Sequence, residues 1–497
     1  MKILILSTLL LLTAHGAHGK DAPLQLAGIF KSNMVLQQNS EASIWGKATP
    51  DQKVTLTPSW SRKSLTATAD SSGKWLTKVP TPKAGGPFTL NVEAGKEKLT
   101  LTNILIGEVW ICGGQSNMQW KMVGFGKDHW KEDLEKADLP QIRLCNVAQI
   151  FALSEQDDLS CNWSVCSARS ASQFSAVAYF FGEQLHRELK VPIGLISSNW
   201  GGTTAEAWTS SDLLGKKYPD FEKVLSTYPA LSEEHGDLHT RSKRPPKPLK
   251  PGSPSGLYNA MIHPLIPFTF RGVIWYQGES NIKRPEQYRT LFPDLITDWR
   301  SQWNQGDFPF YYVQIAPYHY RTDPYPAAFL REAQLQTLSL PNTGMVVTMD
   351  IGNPENIHPK KKKPVAERLA RLALARTYGQ TDLVSSGPQL QSFKTEKKII
   401  RLSFTHLGSG LATRDDEHPS HFTIAGKDQK FHPAEARIVG NEVHVTSKEV
   451  STPLALRYAW GNDDEPNLTN KEGLPAPSFR TDDWPIVEAK LTPRRKK

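Results

Sequence analysis

Ile104-Leu105-Ile106-Gly107-Glu108-Val109-Trp110-Ile111-Cys112-Gly113-Gly114-Gln115-Ser116-Asn117-Met118 is the stretch that decides how this chain folds. From Ile104 to Cys112 it is almost continuously apolar, the pattern of a strand buried on both faces. Such strands belong to parallel sheets covered by helices. The run ends in a glycine turn that carries a serine. Open parallel sheets bind ligands beyond the carboxyl ends of their strands, so Ser116 stands where an exposed nucleophile belongs. Met118 occupies the place of the last glycine in G-x-S-x-G, which excludes the nucleophile elbow of the α/β-hydrolases. Taken alone, a Gly-Gln-Ser turn is more often a plain loop.

Outward from this strand the pattern changes on both sides. Residues 22–102 read as a β domain, with short alternating runs such as Glu41 to Gly46 and Lys53 to Thr57 broken by Pro, Gly, Asp and Ser. Ser71-Ser72-Gly73-Lys74 predicts a hairpin turn. Residues 103–381 alternate helix and strand, the mark of a helix-covered parallel sheet. Strands are expected at Val191 to Ser197, Gly272 to Tyr276, Phe310 to Ile315 and Gly344 to Met349. Ser175 is placed to cap a helix whose apolar stripe runs Val177, Phe180, Phe181, Leu185 and Leu189. Pro364 is placed to open another, which Gly379 stops. A polar, Pro- and Lys-rich insertion, partly flexible, is expected at about 214–254. The β pattern returns over 382–489, with a strand at Ile399 to Phe404. A hairpin is expected around Gly440-Asn441. Residues 490–497 form a basic tail.

The first residues point to export. Met1-Lys2, the apolar run Ile3 to Thr13 and then Ala17-His18-Gly19 fit a signal peptide over residues 1–19, cleaved near Gly19. The expected location is secreted or periplasmic. No cysteine follows the apolar run to take a lipid, and no later segment is apolar enough for a membrane span. With 38% apolar and 22% charged residues a sizeable core can form. The net charge of +9 sits partly in Lys360 to Lys363 and Arg494 to Lys497, runs that usually form solvated faces. No nucleic-acid motif accompanies them. Cys112, Cys145, Cys161 and Cys166 permit three pairings. Cys112 reads as buried and free, and Cys161 and Cys166 are close enough to close a small loop. There is no C-x-x-C pattern, and no metal is expected. Asn162-Trp163-Ser164 and Asn467-Leu468-Thr469 fit the glycosylation pattern.

Further unusual turns follow buried strands. Asn199-Trp200-Gly201-Gly202-Thr203-Thr204 places adjacent glycines where backbone N–H groups can approach a developing oxyanion. Trp275-Tyr276-Gln277-Gly278-Glu279-Ser280-Asn281 packs polar residues around a glycine, which is costly unless they are used. An amide there could donate to the same oxyanion. Ser280 competes as nucleophile but reads better as scaffold. His358 lies in Asp350-Ile351-Gly352-Asn353-Pro354-Glu355-Asn356-Ile357-His358-Pro359, between strand and helix, with carboxylates nearby to orient an imidazole. A lone histidine is usually structural; the setting favours a general base. His263 before Pro264 is the control. Trp110, Trp120, Trp200, Trp208 and Trp275 surround the turns, each fitting core better than sugar stacking.

Gly-Gln-Ser-Asn-Met, Trp-Gly-Gly-Thr, Trp-Tyr-Gln-Gly-Glu-Ser-Asn and the late Ile-His-Pro, in this order, resemble the sialate O-acetylesterase family of SGNH hydrolases. Asn33-Met34-Val35-Leu36-Gln37, Arg457-Tyr458-Ala459-Trp460, Gly473-Leu474-Pro475-Ala476 and Phe479-Arg480-Thr481 extend the likeness over nearly the whole mature chain. The resemblance implies an α/β fold: an SGNH-type parallel sheet with flanking helices, plus N-terminal and C-terminal β-sandwich-like domains. It implies Ser116 as nucleophile and His358 as base. The oxyanion hole would come from the N–H groups of Ser116 and of Gly201 or Gly202, with an amide from Gln277 in preference to Asn281. The superfamily pattern Asp-x-x-His is broken, because Glu355 stands three residues before His358; Asp350 is the fallback orienter, and a Ser–His dyad is the remaining alternative. The implied activity is cofactor-free release of acetate from an O-acetylated sialic acid or other glycan. Acetyl xylan is an alternative substrate, and a non-catalytic glycan-binding protein is the alternative of another class.

Overall fold

The computed structural model describes residues 23–126, 128–320, 322–323, 326–485 and 490–491. The expected signal peptide and most of the basic tail lie outside these residues. The structure is mixed α/β, with one large mixed sheet and additional antiparallel sheets toward the C-terminus.

The strand expected at Ile104 to Cys112 is longer than its apolar run. It spans Glu97–Gly114 (β1), and its first half pairs with the N-terminal strand Gly85–Ala94. The stretches on either side of residue 103 therefore share one strand. Asn103 adopts a left-handed backbone (φ 55°). Arg143 reaches across to the carbonyls of Asn33 and Asn103, both at 3.1 Å. The remaining strands of the central sheet are Leu139–Val147 (β2), Cys161–Cys166 (β3), Ile193–Asn199 (β4), Gly272–Tyr276 (β5), Phe310–Val313 (β6) and Thr343–Val346 (β7). Their order is β3-β2-β4-β1-β5-β6-β7. All are parallel except β3, which runs antiparallel to β2.

Alternation along β1 explains its burial on both sides. Trp110 and Cys112 face one layer, where Trp110 packs edge-on against Phe181 at 5.2 Å. Phe181 lies on helix Ala176–Leu189 (α1), which Ser175 caps by accepting from the Ala178 N–H. Val109 and Ile111 face the other layer, shared with Trp275 and with Trp299 of helix Pro285–Trp303 (α2). The last helix of the unit is Lys362–Arg376 (α3), which begins two residues before Pro364, with Lys362 buried.

Several expectations need correction. The Ser71–Lys74 turn forms, stitched by Asp70, but its flanking strands pair with Lys53–Pro58 and Ser40–Lys47 and not with each other. The chain there passes between two sheets. The polar insertion carries helices Ser211–Lys217, Pro219–Leu225 and Tyr228–His235. Cys145 pairs with Cys161 on the neighbouring strands β2 and β3, leaving Cys112 and Cys166 buried and free. Asn467 is buried, and its amide bonds to Asp415 and the His418 carbonyl, so that glycosylation pattern is closed by the fold. Asn162 is exposed. The C-terminal part packs two four-stranded antiparallel sheets through Phe404 and Phe479, and the hairpin at Gly440-Asn441 is present.

Glu108, at the foot of the parallel part of β1, is buried and takes hydrogen bonds from Arg271, Gln38 and Tyr378. Arg271→Met leaves this carboxylate without its cation. The expected loss is about 2–3 kcal/mol of folding stability, below the range for a fully buried pair because Arg271 is 37% exposed. Urea unfolding of the two proteins measures it.

Candidate active site

Three strand ends meet at one level. In register, Asn199 of β4 and Tyr276 of β5 both lie opposite Gly114 of β1. The Trp200 N–H donates to the Gly114 carbonyl (3.1 Å), and the Gln115 N–H donates to the Tyr276 carbonyl (2.9 Å). The chain builds β2 to β4 on one side of β1 and β5 to β7 on the other. The crevice above Gly114 is thus the topological switch point, where such sheets bind ligands. Only glycine fits at Gly114: its φ is +132°, and a Cβ would lie 2.2 Å from the Tyr276 carbonyl oxygen.

Ser116 opens a single helical turn, Ser116–Gln119, at this point. Its Oγ lies 2.9 Å from His358 Nε2, although 242 residues separate them in sequence. The histidine loop is shaped by its own asparagines: Asn353 Oδ1 accepts the Glu355 N–H and Asn356 Oδ1 accepts the His358 N–H, each at 2.9 Å. Such turns are what Asn supplies in loops. The Trp120 ring lies 5.3 Å from the imidazole. Burial, and then the positive charge of Lys362, hold His358 below the usual histidine pKa.

Neither expected orienter reaches His358. Glu355 is exposed, and its carboxylate makes no hydrogen bond or ion pair among the described residues. Asp350 is bound by Arg368 through both carboxylate oxygens, at 2.7 and 2.5 Å. A loop with two tight Asn turns points the longer Glu side chain outward, and the arginine claims the Asp.

The glycine turn of β4 abuts the serine. A Cβ at Gly201 would lie 3.1 Å from Ser116 Cβ and 2.9 Å from Gln119 Oε1. The Gly201 N–H donates to Gln119 Oε1 at 2.6 Å and is therefore occupied. The N–H groups of Ser116 and Gly202 meet no protein acceptor among the described residues. Gln277 and Asn281 are turned into the scaffold. Gln277 Nε2 donates to Asn281 Oδ1 (2.7 Å) and the Thr203 carbonyl (3.3 Å), which uses both of its protons. Asn281 Nδ2 donates to Glu206, and its Oδ1 accepts the Ala205 N–H. Together they bind the second turn to the third. Ser280 lends its N–H to Gln115 Oε1, and His263 lies against Gln156 and Glu155. Trp110, Trp208 and Trp275 are fully buried core.

Gln115, Asn117, Gln119 and Lys362 also line this region, with no signal of it in the sequence. Gln115 and Gln119 flank the serine as ordinary polar residues, and Lys362 sat inside a run that looked solvent-facing. It is instead buried, with its ammonium on Asn117 Oδ1 and 5.5 Å from the centre of the Tyr276 ring.

Residues 248–375 match the family described as carbohydrate esterase, sialic acid-specific acetylesterase. Human sialate O-acetylesterase is 30% identical over 499 residues, 92% of each chain. The chain belongs to the sialate O-acetylesterase family. It is accordingly a carboxylic-ester hydrolase. The rat sialate O-acetylesterase is 31% identical over 502 residues, covering 91% of this chain and 92% of its own. A carbohydrate acetylesterase from Xanthomonas citri has a crystal structure with a TM-score of 0.83 and 35% identity, matched over 93% of this chain and all of that one.

Gly201→Ala should press a methyl group onto Ser116 and Gln119. We expect kcat to fall about 10–100-fold, the scale of an ångström-sized misplacement, with a melting temperature close to wild type. Steady-state hydrolysis of a model acetyl ester, alongside thermal melting, checks both parts.

Proposed function

We propose that the chain is an exported carbohydrate O-acetylesterase on an SGNH-type core, in which Ser116 and His358 act as a dyad. The observation that carries the reading is the 2.9 Å approach of Ser116 Oγ to His358 Nε2 at the switch point of the sheet. In the neutral imidazole Nε2 accepts the serine proton, and Oγ attacks the acetyl carbonyl. The N–H groups of Ser116 and Gly202 are free to receive the oxyanion, while Gln119 keeps Gly201 and its turn in place. His358 then delivers that proton to the departing sugar oxygen. Water, deprotonated by the same base, releases acetate and restores the serine. No step needs a metal or cofactor group.

The substrate class is an O-acetylated sialic acid or related glycan, by kinship with the mammalian sialate O-acetylesterases. The net charge of +9 favours approach of anionic sugars. Export is supported by the N-terminal residues and by the Cys145–Cys161 disulfide, which suits an oxidising compartment. No helix among the described residues is long and apolar enough to cross a membrane.

Acetate release should be measured from acetylated sialic acid and from acetylated xylo-oligosaccharide. Turnover of the first and its loss in Ser116→Ala are expected. Xylan-type turnover alone overturns the substrate class, and an unaffected Ser116→Ala overturns the mechanism. Because His358 titrates below the usual 6.5, kcat should hold its plateau down to slightly acid pH and fall as pH drops through the His358 pKa, where protonation removes the base. An acid limb centred above pH 6.5 contradicts this. Glu355→Gln should change kcat by less than about 2-fold, where loss of the oriented acid in a protease triad costs about 10⁴.

A further inference from the structure

Behind the Ser116–His358 pair lies a buried polar cluster that the two-step reaction does not itself use. Asn117 Nδ2 donates to Glu279 Oε1 at 2.6 Å and to the Ile357 carbonyl at 3.1 Å. Asn117 Oδ1 accepts from the Lys362 ammonium. The orientation of the amide is thereby set by its neighbours: two acceptors at the nitrogen and a cation at the oxygen. Asn117 and Lys362 are each 1% exposed, and Glu279 Oε2 is buried without a partner. Lys362 and Glu279 make no direct ion pair, so the amide bridges them.

We propose that Asn117 is the positioning residue for His358, its amide clamped between Lys362 and Glu279 and gripping the Ile357 carbonyl. This rests on the reading of His358 as the general base. Asn117 is the residue after Ser116, and Ile357 is the residue before His358. One side chain therefore bolts the base loop to the serine turn. That is the task an acid on Nδ1 performs in a triad, and here neither Glu355 nor Asp350 reaches the ring.

The placement of the charges supports a role beyond packing. A buried lysine and glutamate are expensive to desolvate, and apolar residues of similar volume are commonly as stable or more so. Lys362 also sits at the first position of α3, where the helix dipole opposes a cation. Burial draws its ammonium down to about 7, and the Glu279 charge opposes the fall; burial likewise raises Glu279. The groups facing this cluster are Glu279 and Tyr276 from β5 and its turn, Lys362 from α3, Tyr288 from α2, Tyr320, and His358 from its loop. Burial first, and then the Lys362 charge, lower the tendency of His358 to take up a proton. The cluster thus fixes the place of the base and its charge state together.

The test uses the full-length enzyme and a model acetyl ester. Asn117→Ala should lower kcat about 10–100-fold while KM stays within about 2-fold, the signature of a misplaced base and not of lost substrate contacts. Lys362→Met should lower kcat and also shift the acid limb of kcat to higher pH, because His358 loses a positive neighbour and takes up its proton more readily. A purely structural role would reduce the folded fraction without moving that limb. An Asn117→Ala enzyme with wild-type kcat, or a Lys362→Met enzyme whose acid limb does not move, overturns the proposal. If Asn117→Ala does not accumulate as folded protein, the isosteric Asn117→Asp, which loses the N–H donors to the Ile357 carbonyl and Glu279, decides by the same kcat-against-KM split. Failure of the underlying reading is distinct: the wild-type protein would then release no acetate, or Ser116→Ala would release it undiminished.

Discussion

The backbone registry at Gly114 is the constraint on which the site depends. Asn199, Gly114 and Tyr276 lie side by side, and the first residue beyond each of two strands is hydrogen-bonded to the end of its neighbour. Because the strands are parallel and level, their turns leave the sheet at one height and toward one space. A slip of one residue would turn each strand's buried faces around. Trp110 and Cys112 would then exchange layers with Val109 and Ile111, and the core that holds the turns would be lost. The site is accurate because the sheet beneath it tolerates no other register.

Much of this was legible in the chain, for physical reasons. A strand buried on both faces must be apolar throughout, and glycines must stand where backbones pass within a Cβ radius. Both left visible marks at Ile104 to Cys112, Gly114 and Gly201. Ser116 and His358 stand out as candidates by their places in turns and loops beyond strands, and their proposed roles come from the family resemblance. The amides were harder. Gln277 and Asn281 looked like donors because they are polar residues in a buried turn, yet their partners are Thr203, Glu206 and each other. Sequence shows that such a group must be satisfied, and leaves open by which partner. Lys362 was hidden among Lys360 to Lys363, since a charge run does not reveal which member turns inward. Glu355 occupied the expected spacing before the histidine, but two asparagine turns aim it at solvent.

The arrangement around His358 trades one kind of support for another. An acid on the imidazole both orients the ring and stabilises its cation. Here the proposed orientation is supplied through the backbone, by an amide on the preceding carbonyl, and the charge that bears on the ring is positive. The base is consequently held in place but not made more basic. A weaker base loses proton-transfer driving force, yet it stays unprotonated to lower pH than an ordinary histidine. In the proposed mechanism, stabilisation then leans more heavily on the preorganised N–H groups of Ser116 and Gly202.

The central claim is that Ser116 is activated by His358 without an acid partner. Stoichiometric labelling with a serine-directed phosphonate, followed by peptide mapping, tests it most directly. The account predicts a single adduct on Ser116, formed rapidly by wild type and by Glu355→Gln and slowly by His358→Ala. An adduct on Ser280, or labelling that depends on Glu355 as strongly as on His358, would contradict it.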